Sequence, residues 1–260
     1  MKAISFFVAM FFTLGHFAIS QTVLWSENFE GNWSNDWYVE NGVWEVGIPT
    51  SGPGSAYNGQ KCAATVLGGN YPPNANTRLV RFTSFVVPDA VQNPRLRFWH
   101  WFSFDGDYGK VQIKPAGGST WTDISGQYNN SGSSTWSCPL IDLSNYAGQQ
   151  VQIAFLFTSN SSWESSGWYI DDISLVTGPI VFNNPEGWEN GIGDWSAESG
   201  TWEVGTPTSG PNSAHTGQKC AATRLNGNYA GNVSSRLVSP TFIVPDAVQN
   251  PRLRFWHWFS

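Results

Sequence analysis

Residues 87–103 and 244–260 are identical, VPDAVQNPRLRFWHWFS in both places. The match continues upstream. GVWEVGIPTSGPGSAYNGQKCAAT at 42–65 aligns with GTWEVGTPTSGPNSAHTGQKCAAT at 200–223. The offset is 158 residues there and 157 in the identical stretch, because the second copy is one residue shorter between Val238 and Pro245. A unit of about 157 residues is the size of a domain, not of a solenoid repeat. The first copy is expected over 21–178, with Gly178-Pro179 as a short joint, and a truncated second copy over 179–260. Half a sandwich leaves strand edges and a core face open. The chain is therefore expected to be a fragment of a parent that carries more copies.

Within the unit the hydrophobic period is two. Val151, Ile153, Phe155 and Phe157 alternate with polar or smaller residues, and Val111-Gln112-Ile113 does the same. Turn signals separate these runs: Asp105-Gly106-Asp107-Tyr108-Gly109, Ala116-Gly117-Gly118-Ser119, and Gly167 before the last strand. No amphipathic helix of useful length appears after residue 20, although DLSNYAGQQ at 142–150 has room for one helical turn. Many short alternating strands predict an all-β, antiparallel β-sandwich of jelly-roll type, one copy complete and one truncated.

The repeated stretch is itself a strand with two bulky faces. Leu96, Phe98, His100 and Phe102 share one face; Arg97, Trp99, Trp101 and Ser103 share the other. The first row fits the core, with His100 as a core histidine. The second row has two readings. Trp99 and Trp101, with Arg97, form a displayed ligand-binding row that stacks on sugar rings, or the indoles pack beneath N-terminal loops rich in Trp33, Trp37 and Trp44.

The first twenty residues read as a secretory signal: Lys2, an apolar run from Ala3 to Ile19, and Ala18-Ile19-Ser20 before a cut at Gln21. No later stretch is apolar enough to span a bilayer, so a secreted or cell-surface location is expected. Beyond residue 20 there are 12 basic and 19 acidic side chains, a formal charge of −7. That balance offers no basic patch for nucleic acid. The expected partner is an extracellular glycan or protein. Cys62 and Cys220 occupy the same slot of the two copies, whereas Cys138 has no counterpart before the chain stops. Either Cys62 and Cys138 form a disulfide and Cys220 stays unpaired, or all three are small buried thiols.

Acidic motifs bracket the first copy, SENFEGNW at 26–33 and GWYIDDISL at 167–175. Adjacent first and last strands would bring Glu27 or Glu30 to Asp171 or Asp172, and carboxylates with loop carbonyls suit Ca²⁺. Alternation sends Asp171 and Asp172 to opposite faces, so only one is expected to meet the metal. Asp105 and Asp107 in the D-G-D-x-G stretch read as a hairpin turn rather than a calcium loop.

No H-E-x-x-H or G-x-S-x-G occurs, and the only histidines after residue 20 are His100, His215 and His257. No strand carries paired acids in glycosidase fashion. A non-catalytic module is expected: an adhesion or binding unit repeated for reach, or alternatively a carbohydrate-binding or accessory domain of a secreted hydrolase or peptidase.

The motif order through the first copy, ending in LRFWHWF and GWYIDDISL, resembles the MAM-like jelly-roll domains of bacterial secreted proteins. These include the choice-of-anchor J and cleaved-adhesin types and the domain beside immune-inhibitor-A-type metallopeptidases. The resemblance covers the first copy and the visible half of the second. It implies a Ca²⁺-stabilised sandwich used for adhesion or substrate binding, with Glu30 and Asp171 as metal residues and Asp172 as the alternative. It fixes the fold better than the ligand.

Overall fold

The computed structural model describes residues 21–129, 133–198, 200–231 and 233–260. The expected signal segment, 1–20, lies outside the described residues. The first copy is a sandwich of two antiparallel sheets. One sheet contains β1 (Thr22–Glu27), β3 (Glu45–Gly47), β4 (Cys62–Ala64), β6 (Arg95–Ser103), β10 (Leu140–Asp142) and β12 (Gly167–Thr177). Its order is β10-β6-β12-β4-β3, and β1 joins the other end of β12. The second sheet contains β2 (Trp37–Glu40), β5 (Asn76–Val86), β7 (Tyr108–Pro115), β8 (Thr122–Asp123), β9 (Tyr128–Asn129) and β11 (Gln150–Thr158). Its order is β2-β5-β11-β7-β8, with β9 also on β7. The first and last strands are thus neighbours, and 3-10 turns such as Ser144–Tyr146 are the only helical pieces among the described residues.

Alternation decides what the sheets bury. Leu79, Val111, Ile153, Phe155 and Phe157 face inward from one sheet; Leu96, Phe98, Phe102, Trp168 and Ile170 face them from the other. Trp168 closes the gap beside Gly109, where a methyl group would come within 2.6 Å of the indole. His100 belongs to this core, with no exposed surface. Its Nδ1 accepts a hydrogen bond from Trp168 Nε1 at 3.3 Å, and burial pushes its pKa down to about 3. The imidazole is therefore neutral.

Residues 104–107 are not the hairpin turn expected from the sequence. They carry the chain from β6 in one sheet to β7 in the other. Asp107 is buried there because both its oxygens have donors, Tyr71 Oη at 2.5 Å and the Asn160 amide at 2.7 Å.

The second copy builds the same opening pairs. β13 (Ser196–Ala197) pairs with β16 (Leu237–Val238), and β14 (Glu203–Gly205) with β15 (Cys220–Ala222). Ser196 faces Val238 as Tyr38 faces Val80, and Gly205 faces Cys220 as Gly47 faces Cys62. The repeated LRFWHWF stretch behaves differently in the two places. In β6 it lies between β10 and β12, and its inward side chains are buried. At 253–259 it forms no strand, and Phe255, Trp256 and Phe259 are exposed. Among the described residues no strand pairs with this second stretch.

Candidate functional site

The outer face of the β6-bearing sheet gathers the acidic residues singled out by the sequence. Loop 48–61 folds across this face. The Asn58 amide donates to Asp171 Oδ2 at 3.1 Å, and Asn58 Nδ2 donates to Asp172 Oδ2 at 3.3 Å. Glu30 approaches the same loop, and its Oε1 accepts from the Gln60 and Lys61 amides at 2.6 and 2.7 Å. The loop can come this close because Gly59 has φ +66°; a methyl group there would lie 2.4 Å from Glu30 Oε1. In the second copy Glu189 accepts from the Gln218 and Lys219 amides at 2.8 and 2.9 Å, beside Gly217 at φ +67°. The carboxylate cradle is therefore built twice.

Asp171 and Asp172 both meet this loop, contrary to the alternation argument. A bulge is the reason. Trp99 faces Asp171 and Arg97 faces Ser174, so two residues of β12 stand against one of β6. Asp172 takes φ +44° in the bulge, which turns its side chain to the loop that also contacts Asp171.

Asp171 is fully buried. Burial raises its pKa to about 7, opposed by the amides of Asn58 and Asp172 and reinforced by the Asp172 charge. Burial also raises the pKa of Asp172, with a further rise from Glu30. Glu30 moves the other way, held low by the Lys61 and Gln60 amides. Among the described residues no ion pair involves any of the three carboxylates. Nor do three His, Cys, Asp or Glu side chains stand close enough to hold a metal by themselves. The donors are all hard oxygens; Lys61, whose ammonium donates to the Glu30 carbonyl at 3.3 Å, is the cation nearest Glu30, and neither Asp171 nor Asp172 has an ion pair. That chemistry fits Ca²⁺, provided that loop carbonyls and water complete the shell.

Trp99 and Trp101 lie on the same outer face, both half-buried. Tyr57 from loop 48–61 stacks flat on Trp99, with centroids 3.7 Å apart. Trp101 packs edge-on to Tyr169 at 5.5 Å. Loop 48–61 thus lies over the Trp99 indole, while Trp37 and Trp44 sit in the core between the sheets and Trp33 packs against it. Arg97 is buried as well, donating to the Gly193 and Trp195 carbonyls and to Cys138 Sγ. Its guanidinium is committed inside the protein.

The disulfide alternative is overturned. Cys62, Cys138 and Cys220 are all free thiols. Register explains why. Ala63 faces Ile170, Asp171 faces Trp99, and Ser137 faces His100. Two strands therefore stand between Cys62 and Cys138, a separation of about 14 Å at sheet spacing. A disulfide needs Cα atoms within about 7 Å. Burial, with the charges of Asp171 and Glu30, pushes the Cys62 thiol up to about 12.

One group of polar residues was missed from the sequence. On the outer face of the other sheet, Arg78 donates to Glu40 Oε2 at 2.7 Å and to Gln112 Oε1 at 2.8 Å. Gln112 and Lys110 both donate to Asp123, at 2.7 and 2.6 Å. This ladder crosses β2, β5, β7 and β8. Aromatic rings flank it: Tyr38 and Phe82, each 41% exposed, on one side, and Trp121 beneath Lys114 on the other. The period-two rows Arg78-Val80-Phe82 and Tyr108-Lys110-Gln112-Lys114 were the available signal.

No family model matches the chain. It is similar to bacillopeptidase F of Bacillus subtilis (strain 168), with 40% identity over 136 residues. The match takes in 52% of this chain but only 9% of that protein. Among solved structures, the family 22 carbohydrate-binding module of Clostridium thermocellum Xyn10B matches 62% of this chain and 97% of its own, with 14% identity and a TM-score of 0.40. A mannan-recognising module, TmCBM27, has 13% identity and a TM-score of 0.38, over 62% of this chain and 99% of its own. A cyclase from Fischerella sp. TAU has 15% identity and a TM-score of 0.41, over 63% and 100%. Among the described residues no helix is long and apolar enough to cross a membrane.

Proposed function

We propose that the chain is a non-catalytic extracellular binding module, of the MAM-like kind that its motifs resemble, clamped by Ca²⁺ at Glu30, Asp171 and Asp172. The observation that carries this reading is the fully buried Asp171 carboxylate beside Asp172, both held by loop 48–61 and neither in an ion pair, with Glu30 at the same loop. Burying charge without a counter-ion is costly, and a hard cation would remove that cost. The ion would tie the loop that covers Trp99 to both β12 and the segment after β1. A secreted location, and an accessory role beside a peptidase, are the associated proposals, the latter supported by the similarity to part of bacillopeptidase F.

The test is thermal unfolding with Ca²⁺ and with chelator, for the chain and for a Glu30→Gln/Asp171→Asn variant. An ion at about 100 times its dissociation constant adds ~2.7 kcal/mol. An upward shift that disappears in the variant supports the clamp; identical melting under both conditions removes it.

A second reading concerns the ligand. The ladder from Glu40 to Asp123, with rings on both sides, suits a hydroxyl-rich glycan: donors and acceptors lie in a row, and aromatic faces can stack on sugar rings. Retention on immobilised β-glucans and mannans should then be lost in Arg78→Ala. Equal retention of the variant, or none by the chain itself, counts against this reading.

A further inference from the structure

The first and second copies meet through two arginines of β6. Arg95 Nη2 pairs with Asp194 Oδ1 at 2.9 Å, and both side chains are buried, at 1% and 7% exposure. Arg95 Nη1 also donates to the carbonyls of Asn93 and Gly178. Asp194 Oδ2 accepts from the Val181 amide at 2.8 Å, and Arg97 takes the carbonyls on either side of Asp194. Backbone bonds extend the seam: Ala197 N to Cys138 O at 3.2 Å, and Ser134 N to Gly200 O at 2.8 Å.

The repeat supplies an internal comparison. Asp194-Trp195 aligns with Asp36-Trp37 in the first copy. Asp36 has a partner within its own copy, Arg81, at 3.8 Å; Arg81 also stacks on Trp25 at 4.3 Å. In the second copy the stretch 239–243, which stands in place of 81–86, contains no arginine. The aspartate that lacks an arginine of its own is the one paired with an arginine of the other copy. The donor pair is also present twice, since Arg252 and Arg254 match Arg95 and Arg97.

We propose that Arg95 and Arg97 form a head-to-tail docking surface whose partner is the Asp-Trp turn of a neighbouring copy of this fold. The turn docks only when its own copy lacks an arginine at the place of Arg81. A copy with that arginine, such as the first, neutralises its own aspartate and so begins an array. A copy without it must follow another. The buried pair fixes the angle between copies, because removing one partner from a buried ion pair leaves an uncompensated charge.

Hydrogen exchange on the full chain tests this, with peptides covering 178–183 and β6 followed separately. Ser239→Arg gives Asp194 a partner in its own copy, and Asp194→Asn removes the acceptor charge. In both variants, exchange at 178–183 is expected to rise about tenfold or more while β6 keeps its protection. Unchanged exchange at 178–183 in both variants overturns the proposal. So does an equal loss of protection in β6, which would mean unfolding of the first copy and not release of the second.

Discussion

Tyr57 lies flat on Trp99, with ring centroids 3.7 Å apart and planes 10° from parallel. The aligned residues of the second copy, His215 and Trp256, stack at 4.0 Å and 13°. The indole of Trp99 is thus a seat for loop 48–61, the loop that carries the amides facing Glu30 and Asp171. Trp99→Ala is expected to destabilise the chain by about 2–4 kcal/mol, slightly less than a fully buried tryptophan, in urea unfolding. A loss below about 0.5 kcal/mol, the size of a surface effect, would show that the loop does not rest on the ring.

His100 gives a pH dependence of definite sign. Its folded-state pKa is pushed down to about 3 from an ordinary 6.5. The unfolded chain takes up a proton below 6.5 that the folded chain refuses. Stability from this group is present above 6.5 and falls as pH drops toward 3, by up to about 1.4 kcal/mol per unit. His100→Gln keeps an acceptor for Trp168 Nε1. The melting temperature of the variant is expected to fall less than that of the parent between pH 7 and pH 4. Parallel curves would show that His100 does not resist protonation.

Tyr71 and Asp107 hold the crossover between the sheets, through a buried hydrogen bond of 2.5 Å to a carboxylate. Tyr71→Phe removes the donor and leaves the acceptor in place. A loss of about 1.5–3 kcal/mol is expected in denaturant unfolding, the range for a bond to a charged group. An unchanged midpoint would mean that water replaces the hydroxyl without cost.

The strands were legible because their side chains alternate. The face carrying Leu96, Phe98, His100 and Phe102 was readable residue by residue, and so was the row from Val151 to Phe157. The pairing of the first strand with the last was legible too, and Glu30, Asp171 and Asp172 each reach loop 48–61. What escaped the sequence were breaks in regularity and long-range register. The bulge at Asp172 changes which way a carboxylate points, and nothing in IDDIS marks it. The separation of Cys62 from Cys138 depends on two strands inserted between them, which only the sheet order reveals. The polar ladder at Arg78 joins residues of four strands, so the period-two rows show its members but not their meeting.

The most direct measurement is calcium bound per chain, by equilibrium dialysis with metal analysis. The expected result is Ca²⁺ held tightly by the first copy and lost in Glu30→Gln/Asp171→Asn, because there loop 48–61 gathers Glu30, Asp171 and Asp172. No bound calcium, or equal binding by the variant, would contradict the clamp.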